Sequence, residues 1–77
     1  MTQVKTLLEL VMEAEYVHPF PDYTGLILWF GGHKLYAFSS TGQAIGECTV
    51  RHLSLQGVKD TCKLVIQKLI ERGLIKG

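Results

Sequence analysis

Asparagine is absent from the 77 residues, so the chain offers neither an N-glycosylation acceptor nor an Asn-Gly hairpin turn. Cysteine occurs only as Cys48 and Cys62. There is no Cys-x-x-Cys pair, and the close-spaced ligands usual in zinc sites are missing. No apolar run approaches the roughly 18 residues needed to cross a bilayer. An excess of charge is lacking too: 8 Lys and Arg against 7 Asp and Glu leave a formal charge of +1. That balance gives no general pull toward nucleic acid or anionic membrane. The opening Met1-Thr2-Gln3-Val4-Lys5 lacks the charged-then-apolar layout of a signal peptide. The cytoplasm is therefore the expected compartment, with both thiols reduced. No internal repeat, charge block or low-complexity tract is found.

What is present reads as one α+β domain over residues 1–77. A core this small supplies only a few kcal/mol, and association would add to it. The centre of the chain is residues 25–51. Leu26 to Phe30 is apolar without a polar break, as a short buried strand is. Gly31-Gly32 suits a two-residue hairpin loop, because glycine takes positive φ without steric cost. That loop pairs Phe30 with His33, Leu28 with Leu35 and Leu26 with Ala37. A second turn centred on Thr41-Gly42 pairs Ala37 with Gly46, Leu35 with Cys48 and His33 with Val50.

Alternation then predicts two faces. Leu26, Leu28, Phe30, His33, Leu35, Ala37, Gly46, Cys48 and Val50 make the core face, small at Ala37, Gly46 and Cys48, where a helix can come close. Ile27, Trp29, Lys34, Tyr36, Phe38, Ile45, Glu47, Thr49 and Arg51 make an open face that mixes aromatics with charge.

Helices are expected on either side. Thr2 can cap the first, which runs to about Tyr16 with Val4, Leu7, Leu8, Val11 and Ala14 as its apolar stripe. Leu10 and Met12 widen that stripe or form a second contact surface. Pro19 and Pro21 hold His18 and Phe20 extended. Phe20 and Tyr23 are expected to lie over the edge of the core, and Asp22 to start a turn with Thr24 and Gly25. Ser54 caps the last helix, whose apolar side holds Leu55, Val58, Cys62, Val65, Ile66, Leu69 and Ile70. Gly57 weakens its first turn and moves the expected start toward Val58. Gly73 is placed to stop it, with Leu74 folding back. The expected architecture is helix–three-stranded antiparallel sheet–helix (αβββα), with both helices on the small-residue face.

No catalytic signature emerges. Ser39, Ser40 and Thr41 are explained by their turn. Gly31-Gly32 does not open into a helix as a phosphate-binding loop does. The acids show no evident acid–base pairing, and Cys48, His52, Cys62 and His33 lack metal-ligand spacing. Cys48 and Cys62 read as small core residues. The expectation is a protein that is not an enzyme and has no metal or cofactor.

The helix–three strands–helix order is also that of double-stranded-RNA-binding domains. The likeness stops at topology: their basic Lys-Lys-x-Ala-Lys run has no counterpart in Gly57-Val58-Lys59-Asp60-Thr61-Cys62-Lys63. The reading with most support is a protein-interaction module using Ile27, Trp29, Lys34, Tyr36, Phe38, Ile45, Glu47 and Arg51, since aromatics and arginine are enriched at interfaces. Its partner is a second copy, as a homodimer, or a foreign or host protein that it inhibits or adapts. Small acid–base-balanced αβ chains are common among phage and mobile-element proteins that act this way, an analogy of build alone. The alternative is nucleic-acid binding by the aromatic face or the last helix. No membrane partner is expected.

Overall fold

The computed structural model describes residues 6–76 and shows an α+β chain. Its elements are α1 (Leu7–Glu13), β1 (Tyr16–Pro19), β2 (Gly25–Trp29), β3 (Lys34–Ser39), β4 (Ala44–Thr49) and α2 (Leu55–Glu71). The strands form one antiparallel sheet in the order β1-β2-β3-β4. The class agrees with the sequence expectation. The strand number does not, and αβββα is corrected to αββββα.

The extra strand is β1, which the sequence reading assigned to the end of the first helix and the bend after it. Ala14 has already left the helix at φ −74 and ψ 144. Glu15 N–H then donates to the Trp29 carbonyl at 2.7 Å, starting the β1–β2 ladder. Tyr16 and Val17 favour strand over helix, and Pro19 is tolerated because β1 is a sheet edge where a missing N–H costs little. Thr6 caps α1 by accepting from Glu9 N–H at 3.3 Å. The expected Thr2 cap lies outside the described residues.

The second hairpin follows expectation. Leu35 pairs with Cys48 and Ala37 with Gly46, before a bulge brings Phe38 opposite Ala44. The first hairpin does not. Trp29 pairs with Leu35, Leu28 with Tyr36 and Ile27 with Ala37. The connection runs from Phe30 to Lys34, with Gly31 alone at positive φ (91°), rather than Gly31-Gly32 in a two-residue loop. This one-residue slip inverts every side chain of β2. Ile27 and Trp29 join Leu35 and Ala37, while Leu26 and Leu28 join Tyr36 and Phe38.

α2 covers the Ile27 side. Val58, Cys62, Val65, Ile66 and Leu69 are its buried residues, at helical spacing. They cluster with Phe20, Ile27, Leu35, Ala37, Val50 and Ile75. Close approach is made at Gly46, where an added Cβ would sit 3.7 Å from Leu69 Cδ2. Ser54 caps α2 by accepting from Gly57 N–H at 3.1 Å, a contact worth about 1 kcal/mol. Gly57 lies inside the first turn because a Cβ there would run into the His52 carbonyl and its Cβ. After Gly73, Leu74 N–H returns to the Leu69 carbonyl at 3.0 Å. The side chain that packs back is Ile75, while Leu74, Leu55 and Ile70 are exposed.

The other side of the sheet is closed as well. Leu28 has no exposed surface, yet it stands outside the cluster under α2. In α1, Leu7, Leu10, Val11 and Ala14 are half-buried at helical spacing, and none of them belongs to that cluster either. Leu7 lies against the β3–β4 turn, 3.6 Å from where a Gly42 Cβ would be, and Glu15 is tied to the far end of β2. Among the described residues no side chain of α1 joins the cluster beneath α2, which corrects the expectation that both helices pack on one shared face. Leu8 and Met12 point outward and are largely exposed.

The β1–β2 turn departs from expectation in one residue. Phe20 belongs to the core at 1% exposure, but Tyr23 sits at φ 58 with 83% of its surface exposed. Asp22 holds the turn as expected, its Oδ1 accepting from Thr24 N–H and Oγ1, and its Oδ2 also accepts from Lys76 N–H at 2.8 Å.

Candidate interaction groove beside the fourth strand

The inversion of β2 divides the eight residues expected on one open face. Ile27 is fully buried beneath α2. Trp29 and Ile45 are half-buried against the same core, and Trp29 Nε1 donates to the Gly32 carbonyl at 2.6 Å. Ile45 reaches that core at the bulge, which displaces it from simple alternation. Lys34, Tyr36, Phe38 and Glu47 remain together on the face away from α2. There Lys34 Nζ meets Glu47 Oε1 at 3.4 Å, and the Tyr36 and Phe30 rings lie 6.1 Å apart. Both ends of that ion pair are about half exposed, so it contributes roughly 0.2–1 kcal/mol. Arg51 lies past the end of β4, on the rim of a groove.

That groove runs between β4 and α2. Its larger part, about 600 Å³, is lined by Cys48, Thr49, Arg51, His52, Gly57, Asp60, Thr61, Leu64 and Lys68. A smaller hollow of about 130 Å³ continues it past Gly46, Glu47, Cys48, Val65, Lys68, Leu69 and Arg72. Cys48 and Lys68 line both parts, so the two hollows adjoin along Gly46 to Thr49 of the strand. The α2 wall is the flank beside the buried stripe. Thr61, Leu64 and Lys68 each fall next to a buried residue of α2, and Arg72 caps the helix beyond them.

β4 has no further strand beside it among the described residues. Val50 N–H donates to the His33 carbonyl, so Val50, Cys48 and Gly46 turn their backbone groups toward β3. Antiparallel alternation then aims the N–H and C=O of Glu47 and Thr49 outward, along the mouth of the groove. The opposite edge, β1, is shorter and ends in Pro19.

The titratable groups here are mostly engaged or apart. Asp60 Oδ1 accepts from Gln56 Nε2 at 3.0 Å. Among the described residues, no three of His, Cys, Asp and Glu come together in a way that would hold a metal ion. Cys62 lies in the core, where burial pushes its thiol up to about 11. Cys48, expected in the core, is half-buried on the groove wall. A second cluster lies by β1. Tyr16 Oη and His18 Nδ1 are 2.9 Å apart, and burial followed by the nearby Lys63 and Lys59 ammonium groups holds His18 below its ordinary range.

No family model, curated protein or solved structure matches this chain. No helix among the described residues is long and apolar enough to cross a membrane.

The apolar side expected for the last helix contains neither Leu64 nor Lys68, so the sequence alone does not mark the groove beside it. A usable signal is present: Thr61, Leu64 and Lys68 recur at helical spacing, one step from Cys62, Val65 and Leu69, and Arg72 continues the row.

Proposed function

We propose that this chain is a non-enzymatic protein-interaction module that binds its partner in the groove between β4 and α2. The observation that carries the reading is a free strand edge whose outward backbone groups open onto that groove. Exposed strand edges are templates for pairing, and proteins ordinarily blunt them when they are not used. Here β1 is blunted by its length and Pro19, whereas β4 runs six residues without a proline. Leu64, 57% exposed, adds an apolar contact across from the edge. Cys48, His52 and Asp60 line the same groove, but Asp60 is tied to Gln56 and does not orient a base.

Arg51, Lys68 and Arg72 make nucleic acid the competing ligand. A groove reading phosphates through those cations predicts tight binding to generic oligonucleotides and a steep loss with salt. The protein reading predicts neither. Two measurements decide. Anisotropy titrations with labelled single- and double-stranded oligonucleotides should show no submicromolar binding near physiological salt. Affinity capture from cell extract should retain a protein that Leu64→Glu releases. Salt-sensitive submicromolar oligonucleotide binding, lost in Lys68→Glu, would overturn the proposal.

A further inference from the structure

Resting on the interaction reading, we infer that the groove takes an acidic, extended peptide segment, which adds to the sheet as a fifth strand beside β4. Three features of the groove point to this chemistry. The first is the row of outward backbone groups at Glu47 and Thr49, which an extended peptide satisfies with its own amides. A nucleic acid strand has no backbone amides to offer them.

The second is spacing. Leu64, Lys68 and Arg72 follow one another every four residues along α2, about 6 Å apart at helical rise. Side chains on one face of a strand repeat at about 6.6 Å. A strand added alongside α2 would match this repeat, setting three successive same-face side chains against these three residues. The complementary pattern is one apolar residue and two acids, at alternate positions.

The third is charge. Arg51, Lys68 and Arg72 line the groove, and none is in an ion pair among the described residues. Glu47 pairs with Lys34 on the far side of the sheet, and Asp60, which accepts from the neutral Gln56 amide, offsets one of the three cations, so the groove keeps a positive excess toward Lys68 and Arg72. The same cations oppose a second copy as occupant. A two-fold β4–β4 pairing would bring two copies of this cation-lined edge together, and like charges so juxtaposed are destabilising.

The probe is a fluorescein-labelled short peptide alternating valine and glutamate, measured by anisotropy against the intact chain. Two controls accompany it: the same peptide with lysine for glutamate, and the glutamate peptide with alternate backbone nitrogens methylated. The acidic peptide should bind and the lysine peptide should not. Methylation should abolish binding while leaving the protein untouched. The double variant with Lys68→Glu and Arg72→Glu should weaken binding about tenfold or more. Amide exchange at Glu47 and Thr49 should slow on addition of peptide.

Several results overturn the inference. Binding indifferent to methylation shows charge attraction without strand addition. Competition by single-stranded DNA as strong as by unlabelled acidic peptide shows a nucleic-acid site. Dimerisation at tens of micromolar that buries the β4 amides shows self-pairing. If no acidic peptide binds, yet capture from extract is still lost in Leu64→Glu, the acidic-strand inference falls and the interaction reading survives. Loss of both removes the two together.

Discussion

Cys48 and Cys62 lie on the two sides of the boundary between groove and core. The Cys62 thiol is displaced to about 11 by burial, so almost no thiolate forms near neutrality. Cys48 is half-buried where the groove opens. Native protein treated with a small alkylating reagent should therefore lose one thiol, mapped to Cys48 by mass spectrometry, while Cys62 reacts only after unfolding. Rapid native loss of Cys62 would contradict its burial. His18 supports a pH prediction. Its folded-state pKa is lowered by burial, Lys63 and Lys59, so the folded chain prefers the neutral ring. Its contribution to stability is complete above the unfolded value of about 6.5 and declines as pH falls through that value toward the folded pKa. NMR titration of Lys63→Gln should move the His18 midpoint upward, and the acid-side loss of stability should shrink.

At the scale of elements, α2 was the most legible part of the chain. Its cap at Ser54, its apolar stripe and its stop at Gly73 all follow from local chemistry, which acts within a few residues. β1 and the first hairpin were not legible for the opposite reason. Leu26 to Phe30 has no polar break, so alternation within it says nothing about which side faces which helix. Only the length of the Phe30–Lys34 connection decides, and Gly31-Gly32 suggested a tighter one. The slip it caused moved Ile27 and Trp29 inward and turned Leu28 to the face away from α2, so the candidate site shifted with it.

Of the residues expected to bind a partner, Arg51 alone lies on the groove rim, and Glu47 borders its smaller end from the far face. Lys68 and Arg72 could be placed only once the position of α2 on the sheet was known. The two-sided core has a direct test. Leu28→Ala should cost about 2–5 kcal/mol in urea unfolding, comparable to Leu35→Ala on the other side. A cost near zero would mean that α1 does not seal its face.

For the whole molecule, the near-neutral charge conceals an uneven distribution. Arg51, Lys68 and Arg72 collect along one groove against the single carboxylate of Asp60, while Lys34 and Glu47 cancel on the opposite face. The sheet order has a further consequence, for the speed of folding. Every strand pairs with its neighbour in the chain, so the sheet can zip through short loop closures, and its chevron should be single-phase and fast for a β-containing protein. The hydrogen bond from Lys76 N–H to Asp22 joins residues 54 positions apart and has to wait for α2 to dock. It should be missing from the transition state. Stopped-flow kinetics of Asp22→Asn should show faster unfolding with an unchanged refolding rate, as for a contact made after the barrier. Slower refolding would mean that the chain closes this longest loop first.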